Sequence, residues 1–293
     1  MFFFPYTFWN ANCEVPQDTH LYGTSNKAYV KFKEFFLEIG KELERRFGGG
    51  RLNYVIPPEG APIDRDKIET VQRMRQHGVP TPKPVQHSTL QEVLEQITPE
   101  SGVVLKCRYG AEGKGITVLR YNEWLTNYKV EDFKLSNHGV YGKWPFVEIT
   151  GKRELLEQLL EHEVIVEKEI IPPDVFGRKK FDLRFYVVGQ RTPHFFARLN
   201  DPREIVTNFS QGGTVMHNPD TGLDQIAIKN ASALALRAAR SMNLQFLGVD
   251  IMFDGNMDTP LVVELQAFTD FPKIEKFDLA QYIISDNGEL FAD

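Results

Sequence analysis

The spacing of apolar residues predicts where the chain is helical. Between Lys27 and Phe47 apolar side chains recur every three or four residues, and the glycines at 48–50 should end that helix. The same periodicity predicts a helix from about Asp64 to His77, with Gly78 as its C-terminal stop. Further helices are expected at about 90–97, 152–162 and 226–242.

Strands are predicted where apolar and polar residues alternate or where β-branched residues cluster. The run from Phe181 to Val188 alternates strictly, which puts Asp182 and Arg184 on one face of a half-buried strand. A second strand at about 194–199 carries Arg198, and the two should pair in antiparallel fashion. The remaining strands are expected at 1–9, 52–56, 103–106, 116–119, 164–170, 246–253 and 261–266.

Proline-rich segments divide this pattern into three predicted domains. The linker Val79 to Pro84 is the first boundary, and Pro172-Pro173 marks a hinge further on. We expect a short N-terminal α/β domain at 1–78, a small lobe at 79–166 and a large lobe at 167–293. The segment 121–150 is predicted to be an irregular insert that shapes a substrate pocket, the alternative being a surface elaboration.

Composition limits the class of protein. With 293 residues, 42% of them hydrophobic, the chain can bury a normal core and should be soluble and globular. Its net charge of -6 argues against an extended nucleic-acid surface, and the basic residues between 31 and 51 are interpreted as a solvated helix face. The apolar residues 1–9 are too few for a membrane span and lack the basic region of a signal peptide. Cys13 and Cys107 form no disulfide framework or metal motif, so a cytoplasmic location is expected.

A glycine-rich loop lies between two of the predicted strands. The stretch from Val103 to Leu119 reads VVLKCRYGAEGKGITVL, with Gly110, Gly113 and Gly115 in the loop. Glycines at this spacing let the backbone adopt positive φ and turn several N–H groups toward one point, which suits a phosphate. The common P-loop and dinucleotide loops open onto a helix, whereas this loop leads into a strand. By itself the stretch is equally compatible with a flexible hairpin.

Two acidic residues on the last pair of predicted strands indicate a cation site. Asp250 lies within an otherwise apolar run, where a carboxylate is costly unless a positive group meets it. If the two strands form a hairpin, Asp250 lies directly opposite Glu264, and Gln266 follows on the same face. Oxygen ligands of this kind are the ones that Mg²⁺ prefers. The alternative is that Arg184 or Arg198 holds the acidic pair without a metal.

Taken together, these residues resemble the ATP-grasp superfamily of carboxylate–amine ligases, which includes D-alanine–D-alanine ligase, glutathione synthetase, the ribosomal-protein glutamate ligases and the tubulin–tyrosine ligases. The resemblance covers roughly residues 64–266. Its pieces follow the family's order: Asp66-Lys67 before Gly78-Val79-Pro80, Lys106 to Ile116, Val164 to Ile170, Phe181-Asp182-Leu183-Arg184, Thr207 to Gly213, and Gly248-Val249-Asp250-Ile251 with Glu264. It implies an α+β ATP-grasp fold, in which two α+β lobes clamp ATP and a short α/β N-terminal domain precedes them.

The resemblance also implies the residues that bind ATP. Lys67 and Lys106 would contact its phosphates under the loop glycines Gly110, Gly113 and Gly115. For Lys67 the alternative is an ordinary surface lysine.

The same resemblance implies which residues contact adenine, ribose, Mg²⁺ and the substrate. The strand carrying Glu167, Lys168 and Ile170 would join the lobes and offer backbone groups to adenine, while Asp174, with Glu169 as a competitor, would hold the ribose. Asp250, Glu264 and Gln266 would bind Mg²⁺. Arg184 and Arg198 would hold the substrate carboxylate and the charge that develops on it. Asn208 would belong to the substrate-side loop of the catalytic site, the alternative being a polar turn.

The sequence departs from the family pattern at three points. Cys107 stands where the family usually has Pro, and Gln266 replaces the usual Asn. The residues 267–272 replace a small Ser/Thr-Pro-Gly segment. These last two changes bear on the second metal ion and on the acceptor pocket.

The leading hypothesis is a ligase that joins a carboxylate to an amine of an amino acid or peptide through an acylphosphate, with ATP and Mg²⁺. A kinase or nucleic-acid-end ligase with the same fold is one alternative, motivated by residues 177–180 and the basic helix face. A nucleotide-binding regulatory module without turnover is another. The expected partners are therefore small-molecule or peptide substrates and no membrane, and the sequence leaves nucleic acid and a homo-oligomer open.

Overall fold

The computed structural model describes residues 21, 23–48, 52, 54–110, 113–138, 143–177, 179–218, 221–285 and 290. The predicted strand at 1–9, Cys13, Arg178 and residues 111–112 of the glycine loop lie outside these ranges. In the described ranges the α-helices are α1 (Lys27–Phe47), α2 (Lys67–Gln76), α3 (Leu90–Leu94), α4 (Arg153–Leu160), α5 (Gln225–Met242) and α6 (Leu279–Ser285). No described helix combines the length and the apolar character needed to cross a membrane.

The strands of the same ranges form two five-stranded antiparallel sheets and two small hairpins. The strands are β1 (Val103–Cys107), β2 (Ile116–Arg120), β3 (Glu123–Thr126), β4 (Lys129–Glu131), β5 (Lys134–Ser136), β6 (Val147–Glu148), β7 (Val164–Lys168), β8 (Lys180–Val188), β9 (Arg191–Asn200), β10 (Thr214–His217), β11 (Phe246–Phe253), β12 (Pro260–Gln266), β13 (Lys273–Ile274) and β14 (Phe277–Asp278).

The small lobe is a sheet in the order β6-β3-β2-β1-β7 with α3 and α4 packed on it. The glycine loop joins β1 to β2, as predicted, and those two strands pair in antiparallel fashion. Helix α3 begins with a capping box, in which Thr89 and Glu92 each bond the other's backbone N–H. Helix α4 buries three leucines of one stripe, Leu155, Leu156 and Leu159, against the sheet.

The large lobe is a sheet in the order β10-β9-β8-β11-β12, and α5 covers one of its faces. Small residues on α5, including Ala231, Ala235 and Ala238, let the helix lie close to the large apolar side chains of the strands. Asp224 caps the start of α5 by accepting the N–H of Ala227 at 3.0 Å, and Asn243 ends it in the left-handed conformation. The other face of this sheet carries the polar residues.

Two local predictions are wrong. The residues described at 52 and 54–56 form no strand, because Ile56 packs its side chain against three apolar clusters instead of entering a ladder. The insert at 121–150 is not irregular throughout, since it contains β3 to β6, two of which extend the small-lobe sheet. Alternating residues such as Trp124 and Leu135 join the apolar core of that lobe, which is why these short strands form.

Candidate active site

Cross-strand pairing aligns the polar residues of the large-lobe sheet in rows. One row runs from β10 to β12 through His217, Phe196, Arg184, Asp250 and Glu264, each the direct partner of the next. Direct partners point to the same face of a sheet, so these side chains share the face opposite α5. The predicted opposition of Asp250 and Glu264 is confirmed, and the pairing shifts by one residue immediately after Asp250.

A buried network of four charged side chains occupies the middle of this face. Arg184 binds Asp250 through two nitrogens, and Arg198 bridges Asp250 and Asp182, donating from Nη2 to Asp250 Oδ2 and from Nε to Asp182 Oδ1, each at 2.8 Å. All four side chains belong to residues that are less exposed than a tenth, with Asp250 at 1%. Burial alone would raise the pKa of Asp250, but the two arginines lower it below its ordinary value. Both arginines named in the sequence analysis therefore contact this carboxylate.

A cleft separates this face from the glycine loop and β7 of the small lobe. Most of the residues predicted to bind ATP line it: Lys67, Lys106, Gly110, Gly113, Glu167, Lys168 and Ile170. Arg198, Asn208, Asp250 and Glu264 line the same cleft from the large lobe. Residues as distant along the chain as Lys67 and Glu264 thus meet at one place, which no local sequence pattern predicts.

The cleft lysines already have anionic partners. Lys106 Nζ lies 2.7 Å from Glu167 Oε2, and Lys67 Nζ lies 3.3 Å from Glu264 Oε1 and also donates to the carbonyl of Gly110. A further cation, Lys180, lines the cleft and donates to the carbonyl of Ile205 at 2.5 Å; the sequence placed it only in the basic run 177–180, without a role at the ATP site. Burial lowers the pKa of Lys180 to about 8. Lys180, Asp182 and Arg184 are alternate residues of β8 and therefore lie on the same face of the sheet. This alternation is the sequence pattern from which Lys180 could have been identified.

Two of the loop glycines adopt a backbone conformation that favours glycine. Gly113 and Gly115 adopt φ of 74° and 69°, which side chains other than glycine rarely accept. A Cβ on Gly115 would lie 2.6 Å from the Sγ of Cys107 and 2.7 Å from the hydroxyl of Tyr128. Cys107, the residue that departs from the family pattern, therefore packs directly under the loop.

A second cavity of about 880 Å³ opens on the other side of Glu264. It shares Gly110, Lys114, Arg198, Asn208 and Glu264 with the cleft. Arg184 and Gln266 line this second cavity and not the cleft. Its other polar wall residues, to which the sequence analysis assigned no individual binding role, are Asp64, Arg65, His217, Asp270 and Lys273. No periodicity marks them, since they come from a 3₁₀ turn, a strand end and the segment after β12.

The two predicted ribose ligands line a common cavity, but only one of them also borders the cleft. Asp174 and Glu169 both line a third cavity, beside the segment that follows β7, and Glu169 lines the cleft as well. Arg120 holds Glu169, with Nη2 at 2.8 Å from Oε1. Of these two acidic residues, Glu169 is thus the one that borders the cleft.

The predicted Mg²⁺ ligands fit a partly open site and not a closed cage. In the described part of the chain no group of three or more His, Cys, Asp or Glu residues is gathered closely enough to hold a metal ion. Glu264, whose side chain is 27% exposed, faces both the cleft and the second cavity, with Asp250 directly behind it. One or two carboxylates completed by water and phosphate oxygens are what Mg²⁺ usually takes. Gln266 could add an amide oxygen only from the second cavity.

The cleft as it stands is narrow. Its remaining space is about 150 Å³, below the roughly 300–1,000 Å³ of typical ligand pockets. The contacts of Lys67 with Gly110 and of Lys106 with Glu167 close it. A nucleotide fits these residues if its phosphates replace those partners, which requires the glycine loop to move.

The structure thus has two α+β lobes that face each other across a cleft, with a glycine hairpin on one side and a charged sheet on the other. No family model matches the chain. It is 24% identical over 273 residues to the tetrahydromethanopterin:alpha-L-glutamate ligase of Methanococcus maripaludis, an alignment covering 89% of this chain and 81% of the relative.

Solved structures share the fold at lower identity. ATP-grasp ligase PsnB, in complex with precursor peptide PsnA2 and AMPPNP, has a TM-score of 0.53 and 14% identity over 91% of this chain and 72% of its own. Biotin carboxylase from Campylobacter jejuni has a TM-score of 0.51 and 14% identity over 86% of this chain and 51% of its own. The chain spans 64% of the D-alanine–D-alanine ligase from Bacillus anthracis that it matches.

The protein therefore has the ATP-grasp fold. The fold class predicted from the sequence is confirmed, and the relatives are ligases, as the resemblance implied. The domain limits and the roles of individual site residues stay predictions.

Proposed function

We propose that this protein is an ATP- and Mg²⁺-dependent ligase, which joins a carboxylate to an amine through an acylphosphate and releases ADP and phosphate. The observation that carries the proposal is that the lysine-lined cleft and the second cavity meet at Glu264, Arg198 and Asn208. A phosphate donor in the cleft and a carboxylate in the cavity would face each other there. The ligase names of the relatives support the same reading.

The cleft residues supply the binding and the charge compensation in this mechanism. Val104, Val118 and Met252 offer apolar surface to a base, and Lys67, Lys106 and Lys180 offer cations to a triphosphate. Mg²⁺ held by Glu264 and Asp250 would supply further charge neutralisation at the phosphate oxygens. Because Arg184 and Arg198 are already fixed by buried carboxylates, they would meet the charge that develops on the substrate without rearrangement.

The substrates proposed are amino acids or peptides. The curated relative is named a glutamate ligase, and PsnB is solved with a precursor peptide. Cations in the second cavity, Arg65, Lys114 and Lys273, suit a ligand with acidic groups. We also propose a cytoplasmic location, and its support is that the two cysteines of the sequence suggest no disulfide framework.

The test uses hydroxylamine, which captures an acylphosphate as a hydroxamate. The protein is incubated with ATP, Mg²⁺, hydroxylamine and a panel of amino acids and short glutamate peptides, and ADP and hydroxamate are measured. We expect both products from at least one carboxylate, a large loss in Glu264→Gln and none in Asp258→Asn, which alters an exposed turn. Release of AMP instead of ADP, or no hydroxamate from any carboxylate, would refute the proposal.

A further inference from the structure

A pair of histidines lies at one wall of the second cavity, and one of the two lines it. His217, at the end of β10, lines the cavity, and His194 on β9 lies behind it with 3% exposure. Nε2 of His194 and Nδ1 of His217 are 3.1 Å apart, and the rings stack at 5.3 Å. With Nδ1 of His217 engaged in this hydrogen bond, Nε2 is the ring nitrogen available to a ligand in the cavity.

His194 is built to stay uncharged. Burial and the neighbouring His217 lower the pKa of His194 to about 4. Its ring also stacks on Phe277 at 4.6 Å, which fixes its orientation. A neutral His194 can accept the Nδ1–H of His217, and in that arrangement Nε2 of His217 presents a lone pair to the cavity. Of the two tautomer pairs compatible with this hydrogen bond, this is the one that leaves the exposed nitrogen of His217 basic.

The position of His217 relates it to the proposed reaction centre. It is the cross-strand partner of Phe196, two residues before Arg198 on β9, and Arg198 lines both the cleft and the cavity. Its own sheet contributes the charged neighbours Arg184, Arg198 and Glu264 to the cavity wall. Other segments contribute Asp64, Arg65, Lys114, Asp270 and Lys273 to the wall. Behind the wall, the ring of Tyr186 stacks on His194, and its hydroxyl donates a hydrogen bond to Asp270 at 2.8 Å.

We propose that His217 is a catalytic residue that takes a proton from the attacking amine, and that His194 is its positioning residue. The inference rests on the ligase function proposed above. An amine arrives mostly as an ammonium ion, which has no lone pair for attack. Transfer of one proton to Nε2 of His217 frees that pair. The C–N bond then forms, the bond between the acyl carbon and the phosphate oxygen breaks, and phosphate leaves with that electron pair and takes up the second proton from nitrogen.

The test compares two nucleophiles on the same acylphosphate. Hydroxylamine is largely unprotonated at pH 7 and needs no base, whereas glycine and L-glutamate are ammonium ions. In His217→Gln we expect amide formation from glycine or L-glutamate to fall on the order of 100-fold at pH 7, while hydroxamate formation stays near that of the unmodified protein. The deficit should shrink as the pH rises toward 9.5, where the amines deprotonate by themselves. His194→Phe should lower the amide rate less, with the same recovery.

The outcomes separate this inference from the ligase proposal. His77→Gln, which changes an exposed histidine at the end of α2, serves as the matched control and should leave both products unchanged. Equal losses of amide and hydroxamate in His217→Gln would mean a structural role and would overturn the inference while the ligase proposal stands. An unmodified protein that makes no hydroxamate refutes the ligase proposal, and one that makes hydroxamate but no amide from any amino acid refutes both.

A second measurement requires no substrate. Nitrogen-15 NMR of histidine-labelled protein reports which ring nitrogen carries the proton. We expect neutral His217 to carry it on Nδ1 and to lose that preference in His194→Phe. A proton found on Nε2 in the unmodified protein would overturn the inference.

Discussion

The two lobes handle charge at the cleft in opposite ways. In the small lobe Lys106 faces Glu167 in a single pair, and its side chain is 21% exposed. In the large lobe two arginines and two aspartates are buried together, and Arg184 and Arg198 share Asp250. Lys106 is partly exposed and its ammonium has three donors, so it can bind a phosphate while still holding the buried Glu167, whereas the guanidinium groups of Arg184 and Arg198 are themselves buried against Asp250 and Asp182. The comparison indicates that the small lobe adapts to the ligand and the large lobe holds a prearranged surface.

The largest expected effect breaks the large-lobe network. Asp250→Asn leaves Arg184 and Arg198 buried without their common carboxylate, so the free energy of unfolding should fall by about 3–5 kcal/mol. Urea unfolding followed by circular dichroism measures it. Asp258→Asn on the exposed turn between β11 and β12 is the control and should change stability little. If Asp250→Asn were as stable as the control, the large lobe would not be the prearranged one.

The second-largest expected effect concerns nucleotide binding by Lys106, the partly exposed lysine of the small lobe. Lys106→Met should weaken binding of AMPPNP with Mg²⁺ by about 10- to 100-fold, because a charge-assisted contact to phosphate is lost. Its effect on stability should be smaller than that of Asp250→Asn, since it deprives one buried charge, Glu167, of its partner, whereas Asp250→Asn removes the carboxylate that two buried arginines share. Calorimetry and urea unfolding of the same samples give both values. A stability loss equal to that of Asp250→Asn, with binding unchanged, would reverse the comparison.

A smaller effect comes from pH at the outer edge of the large-lobe sheet. The pKa of His194 is about 4 in the folded protein against an ordinary 6.5, so the unfolded chain binds more protons between these values. Stability should therefore fall as the pH drops from 6.5 to 4, by about 1 to 2 kcal/mol from this group after allowance for solvent screening. Urea unfolding at pH 7 and pH 4.5 measures the loss. His194→Phe should lack this part of the pH dependence, and an unchanged slope in that variant would contradict the assignment.

The smallest expected effect is a difference in stability caused by the packing of the glycine loop. Gly115→Ala and Gly151→Ala both force alanine into positive φ, at 69° and 80°. Only Gly115 has neighbours in the way, whereas a Cβ at Gly151 would meet nothing within 4 Å. Gly115→Ala should thus cost about 1 kcal/mol more in thermal unfolding than Gly151→Ala, and it alone should weaken AMPPNP binding. Equal effects would mean that the packing on Cys107 is immaterial.

Much of the fold was predictable because its elements are built from local patterns. Helix α1 has the predicted limits, and the glycine hairpin, β8, β9, α5 and β11 lie close to where periodicity puts them. The predictions failed where burial came from outside the local segment. The strand expected at 52–56 is absent from the residues described there, and the strands of the insert were missed, because their apolar side chains belong to cores assembled from distant parts of the chain.

In the candidate site, the sequence was enough to predict the types of residue present and the pairing register of β11 with β12. The alternation on β8 and the spacing of the last two strands were enough to place Asp250 opposite Glu264, because a hairpin has few ways to pair. Only the tertiary structure decided which partner each charge meets. Arg184 and Arg198, which the sequence offered as substrate ligands, are both bound to Asp250. Lys180 lines the cleft, whereas Asp174 and Gln266 line neighbouring cavities. His194 and His217 form a hydrogen bond with each other. These relations depend on how β10, β12 and the two lobes come together, and a charge's neighbours in space are not encoded by its neighbours in sequence.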